Sequence, residues 1–380
     1  MKNFFASFIL VIFCLGSLSA QTFFKNSTQN LSLQTVNIDT VKILAVMVQY
    51  QKDNDVTTVG NGQFDSIYTK EYGDSIIDPL PHNRQYFEAH LEFAKNYYRK
   101  VSNNKVVVSY LVLDSVFTLS KQMRNYSPTI KSNDFSLMGE MTKETWQLVE
   151  SKYPNLRFSD FNKFVIFHAG VGRDVTLPGS LGNERDIPSV FLSLSSLRNI
   201  YGPTFAGFPV QNGNFNITNS AILPQTQNRE VSSFAGTYLL ELTINGLIVS
   251  GIGSFLGLPD LFDTKTGLTA IGRLGLMDGQ AIFAYNGLFP PAPSAWERIF
   301  LGWEIPKVLS PNDTGVVSLA VRNKTLPLES SIIKIPISSS EYFLIENRQR
   351  DANGDKANIT MWVNGRIIQR NFQKIGRAHV

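Results

Sequence analysis

The stretch from about Phe234 to Leu256 constrains this chain most, because it is too apolar to stay in water and it stops on Gly257-Leu258-Pro259. Glycine and then proline just past an apolar run are helix stop signals. The stretch therefore reads as one long helix. Glu241, Thr243 and Asn245 interrupt it, and the uncharged part from Gly246 to Leu258 is shorter than the ~20 residues a bilayer span needs. A central core helix is the expectation, with no membrane span in the mature chain. Gly246, Ser250, Gly253 or Ser254, and Gly257 recur on one helical face. Each interior glycine costs about 1 kcal/mol relative to alanine. The pattern predicts a neighbour packed closely on that face, in a narrowed space rather than an open groove.

A buried helix needs layers to bury it. The chain has 380 residues with 43% apolar and 17% charged content, which suits one large or two medium globular domains. Val41–Val48, Val106–Val112 and Phe164–Phe167 are short runs rich in branched residues and read as buried strands. Apolar residues recur at helical spacing from Arg84 to Lys100, and Phe135 to Val149 reads as a further helix. Gly/Pro/Asn-rich loops are expected over 170–230. A short helix follows Pro290-Pro291-Ala292-Pro293, from Ser294 to Leu301, and strands at Ile332–Ile337 and Tyr342–Glu346 form a β appendage. The expected class is α+β, with a mixed sheet and a central helix.

The first segment has Lys2, an apolar Phe4–Leu15 core, and small residues up to Ala20, the pattern of a cleaved signal peptide. The expected location is therefore secreted or cell-surface. The one cysteine, Cys14, lies inside this leader, so the mature chain carries no disulfide, thiolate ligand or thiol nucleophile. A net charge of +4 with no basic stripe excludes nucleic acid as an expected partner. The expected organisation is a leader at 1–20, a flexible lead-in at 21–40, a main domain at 41–305 and an incomplete β-rich appendage at 306–374. Residues 375–380 back-translate to the start of a common sequencing adapter, with an ordinary basic tail as the alternative reading.

The run Ser250-Gly251-Ile252-Gly253-Ser254-Phe255-Leu256-Gly257-Leu258-Pro259-Asp260-Leu261-Phe262-Asp263 carries the chemistry. Its second half resembles the immune inhibitor A family of secreted zinc metallopeptidases, whose pattern is H-E-x-G-H-x-L-G-L-P-D followed by L-Y-D. Further similarity, in the same order, lies in Lys42–Gln51, Tyr86–Tyr98, Gly275-Leu276-Met277-Asp278, Pro293–Trp296 with Leu301-Gly302-Trp303, and Tyr342–Arg348. The resemblance covers most of residues 41–350 and implies a metzincin-like domain of bacterial origin. In that pattern two histidines at i and i+4 share a helix face and grip zinc, while the intervening glutamate acts as general base. A third ligand comes round a glycine turn, and the fourth position stays open for water.

Aligned on Gly257 and Asp260, this chain puts Ser250 and Ser254 at the histidine positions and Gly251 at the glutamate position. Only Asp260, the third-ligand position, and Met277, in the turn beneath, keep the pattern. A serine hydroxyl stays protonated near neutral pH, and glycine cannot accept a proton. A structural zinc site is worth roughly 10–16 kcal/mol, beyond what one carboxylate recovers. Without zinc, water keeps a pKa near 15.7 in place of about 7. The expectation is a catalytically inactive homologue with no catalytic residues and no cofactor, acting as a binding or scaffolding module for a protein or peptide.

The rival reading is an active hydrolase with a rebuilt zinc site using His168 and Asp260. A third is one piece of a longer surface protein. His82 is expected in an exposed loop, His90 on the surface or partly buried on its helix, and His168 as a structural histidine at a strand end. No Gly-x-Ser-x-Gly elbow follows a strand, so a serine hydrolase does not fit. Asp351, Asn353 and Asp355 alternate like the start of a calcium loop. The sixth-position glycine and twelfth-position glutamate are missing, so an exposed turn is the preferred reading and calcium the alternative.

Overall fold

The computed structural model describes residues 39–348 apart from 131, 133, 177, 178, 180–182, 265 and 322–329, and the strand backbones at 19–20, 358–363 and 366–371. The leader core, Cys14, most of the lead-in, the 375–380 tail, and Asp351, Asn353 and Asp355 lie outside the described residues.

A five-stranded mixed sheet organises the molecule. Its strands are β1 (Asp39–Gln49), β2 (Val106–Thr118), β3 (Lys163–Val171), β4 (Val190–Leu192) and β5 (Ser220–Thr226), in the spatial order β2-β1-β3-β5-β4. The first four of these in space run parallel, and β4 is antiparallel to β5. Near-continuous apolar sequence in β1 and β3 follows from this, since parallel strands are covered on both faces. One face packs on α1 (Arg84–Val101) and α4 (Asn245–Phe255), burying Ile43, Phe87, Leu91, Phe167, Leu247 and Ile252. The other packs on α2 (Ser136–Lys152) and α3 (Leu194–Tyr201), burying Leu44, Val46, Trp146, Phe164 and Ile166. Asn83 caps α1 by accepting from the Tyr86 amide at 3.2 Å.

Two expectations are corrected. The loops expected over 170–230 include α3 and strands β4 and β5 of the main sheet. The long helix expected from Phe234 begins only at Asn245. Its first part belongs to a hairpin, β6 (Arg229–Ser233) with β7 (Gly236–Leu240), in register from Arg229↔Leu240 to Ser233↔Gly236. Gly236 sits at φ +112°, which a helix cannot contain. Val231, Thr237 and Tyr238 are strand-favouring residues that the apolar count hid. Among the described residues no helix is long and apolar enough to cross a membrane.

A segment of irregular chain, residues 50–82, lies across the ends of β1, β3 and β5. Side chains from β6 and the β5–β6 link hold it. Glu230 accepts from the Thr69 amide, the Thr69 hydroxyl and Tyr72. Asn228 donates to Tyr68 and to the Ile77 carbonyl and accepts from the Leu242 amide. At the other end of the chain, α5 (Ala295–Phe300) joins a small sheet of β8 (Lys307–Val308), β9 (Ile332–Pro336) and β10 (Tyr342–Glu346). Fully buried Arg298 of α5 pairs with Glu346 of β10 at 2.8 Å and seats that sheet on the main domain.

Candidate functional site

The end of α4 fixes where every residue of the site stands. Leu256 is the C-cap, and Gly257 follows at φ +95°. The Gly257 amide donates to the Ser254 carbonyl and the Leu258 amide to the Gly253 carbonyl, both at 3.0 Å. That pair of bonds is a Schellman cap, which needs a left-handed residue at Gly257. The half-buried ammonium of Lys163 donates to the Phe255 carbonyl at 3.0 Å and complements the negative helix end. The chain then turns back, so that Asp260 faces the same crevice as Ser250.

That crevice is walled by Ser250, Asp260, Leu276, Met277, Asp278 and Ile282. It encloses a shallow space of about 150 Å³ that opens partly to solvent. The small-residue face explains the closeness. A Cβ built on Gly246 would stand 1.9 Å from the Ile282 carbonyl oxygen, and one on Gly253 would stand 2.7 Å from the Met277 sulfur. Gly251 differs, since a Cβ there meets nothing within 4 Å. Its glycine is not required by packing.

The polar groups in the crevice are idle or turned away. Ser250 donates to the Leu247 carbonyl at 3.1 Å, and Ser254 donates to the Ser250 carbonyl at 3.3 Å. Both hydroxyls are thus tied back into their own helix. Asp260 as a residue is half-buried, but its Oδ1 is sealed with no hydrogen-bond partner. Burial alone pushes its carboxyl well above the usual range. An unpaired buried carboxyl avoids the cost of charge by keeping its proton.

The turn under the crevice is held in part by Glu297, which motif reading did not single out. Fully buried Glu297 accepts from the Leu276 amide at 3.2 Å and the Met277 amide at 2.8 Å. It also closes a capping box with Ser294 at the start of α5. The Ser-x-x-Glu spacing of Ser294 and Glu297 was the available signal. Asp278 accepts from the Gln280 amide at 3.1 Å and the Arg273 amide at 3.1 Å.

The donor set does not fit zinc. Two hydroxyls bonded to carbonyls of their own helix, with one carboxyl, do not supply the two imidazole ligands that a zinc site of this pattern uses. Among the described residues, no three His, Cys, Asp or Glu side chains converge as a metal cage. The histidines stand elsewhere. His168 follows Phe164 and Ile166 onto the α2 face of the sheet, across from the crevice, with its ring 6.3 Å from Tyr50. Its Nδ1–H donates to the Ala169 carbonyl at 2.8 Å, Nε2 is buried without a partner, and burial pulls its pKa down to about 4. It is not brought to Asp260. His82 is not exposed as expected. It is buried at 1% exposure, because the 50–82 segment folds inward onto Gln225. His90 is also buried, with Nδ1 2.7 Å from Asn245 Oδ1 at the start of α4.

No family model matches this chain, and no curated protein matches it.

Proposed function

We propose that this chain is a secreted, catalytically inactive homologue of the immune inhibitor A-type metallopeptidases, acting as a binding or scaffolding module for a protein or peptide. The mixed α+β fold, with a central helix under its sheet, is compatible with a metzincin-like domain. One observation carries the reading. The Gly257 cap fixes the register of α4, and in that register Ser250, Gly251 and Ser254 stand where a metallopeptidase needs two imidazoles and a carboxylate. Ile282 and Met277 pack closely against Gly246 and Gly253 on the same helix, which narrows the space beside Ser250. A casein-cleavage assay on the purified protein, run with and without a chelator, tests this. No cleavage above a heat-denatured control is expected. Chelator-sensitive cleavage that co-purifies with the folded protein would overturn it.

A further inference from the structure

The polar chemistry missing from the crevice is concentrated around Asp78-Pro79, the sole Asp-Pro pair in the sequence. An aspartate before proline can close a five-membered ring by attacking its own main-chain carbonyl, and the tertiary amide of proline is a comparatively easy bond to break. Asp78 is held at φ +56°, left-handed for a non-glycine residue. That is a sparsely populated conformation of the kind retained where surroundings over-determine it.

Those surroundings polarise the scissile bond. The Gly170 amide donates to Gln225 Oε1 at 3.1 Å, which fixes that amide group with its nitrogen toward His82. Gln225 Nε2 then donates to His82 Nδ1 at 3.0 Å. His82 must therefore carry its proton on Nε2, which donates to the Asp78 carbonyl oxygen at 2.9 Å. Burial lowers the His82 pKa and keeps the ring in this neutral tautomer. The ring is stacked on Tyr86 with centroids 4.1 Å apart, so the donor is rigidly placed. The Asp78 carboxyl is steered on both sides, by the Tyr86 hydroxyl at 3.2 Å from Oδ2 and by His90 Nε2 at 3.7 Å from Oδ1. Its side chain is 14% exposed, which leaves water a route in.

From this geometry we propose that the Asp78–Pro79 bond is a self-cleavage site, opened through a cyclic anhydride formed by the Asp78 side chain. In its protonated form the carboxyl attacks the Asp78 carbonyl carbon. A C–O bond forms, the C–N bond to Pro79 breaks, and the carboxyl proton ends on the proline nitrogen. His82 Nε2–H stabilises the oxyanion of the tetrahedral intermediate, a role suited to a fixed neutral donor. Water then opens the anhydride, leaving Asp78 as a new C-terminus and Pro79 as a new N-terminus. The N-terminal piece keeps β1, which lies between β2 and β3. The nicked chain therefore stays assembled, and cleavage shows only under denaturing conditions.

The test is a time course by intact mass on the full folded protein from pH 4 to pH 7, with a chelator present throughout. Two fragments whose masses sum to the parent plus one water, meeting at 78/79 and formed faster toward acid, are expected. The same protein in urea at the same pH should cleave more slowly. Asp78→Asn should abolish the cut, and His82→Phe, which keeps the ring stack, should slow it by about 10²-fold, the scale for losing one oxyanion donor. Cleavage no faster in the folded than in the urea-unfolded wild type would overturn the proposal. So would an unchanged rate in a folded His82→Phe protein.

Discussion

Two regions of the molecule use polar side chains in opposite ways. On one side, the crevice at Ser250 and Asp260 holds hydroxyls bonded to their own helix and a carboxyl with a sealed, unpartnered oxygen. On the other, the 50–82 segment is held by Gln225, Asn228 and Glu230, whose bonds to His82, Ile77 and Thr69 join residues far apart in sequence. The crevice is shaped by a glycine-capped turn and close packing on small residues. The segment has no motif but holds the ordered polar network. The turn at Gly257 is enforced by its cap bonds, and α4 by close packing on its glycines.

Removing polar groups should accordingly cost unequal amounts in the two regions. Asn228→Leu strands the buried Leu242 amide and Ile77 carbonyl and should cost about 3 kcal/mol in urea unfolding, at 1–3 kcal/mol per buried orphan. A cost below about 1 kcal/mol would mean the segment is loosely held. Next in size, Gly246→Ala drives a methyl into the Ile282 carbonyl and should cost about 2 kcal/mol, within the range for overpacking. Unchanged stability in the Gly246→Ala protein would show that the crevice wall yields.

Asp260→Asn should act in the other direction and depend on pH. The raised pKa means that the folded state holds a proton the unfolded state has released. Stability from this group is therefore lost as pH rises above the ordinary carboxylate range toward the folded pKa. The variant should gain about 1–2 kcal/mol over wild type at pH 7 and nothing near pH 4, measured as paired unfolding curves. A gain independent of pH would mean the wild-type carboxyl is not the source. The smallest effects belong to α4 itself. Gly251→Ala meets no neighbour and should stabilise by about 0.5–1 kcal/mol, while Ser254→Ala should stay within about 0.5 kcal/mol of wild type.

The sequence made the local features readable and hid the long-range ones. Helix periodicity located α1 and α2, branched runs located β1, β2 and β3, and Gly257-Leu258-Pro259 located the end of α4. These signals come from neighbours along the chain. The β6–β7 hairpin was misread as helix because apolar content alone does not separate a strand from a helix when the turn glycine is overlooked. His82 was misplaced because its burial depends on Gln225, 143 residues away, a pairing no local pattern announces. Near the site, the helix end at Gly257 was legible, as was a close neighbour on the glycine face. That the neighbours are the Ile282 carbonyl and Met277, braced by Glu297, required the fold.

The central claim is that these side chains cannot hold a metal. Metal content by mass spectrometry tests it most directly, on full-length protein loaded with excess zinc and then desalted. Zinc should stay at background level, identical in wild type and in Asp260→Asn. One zinc per chain in wild type, lost in Asp260→Asn, would contradict the claim.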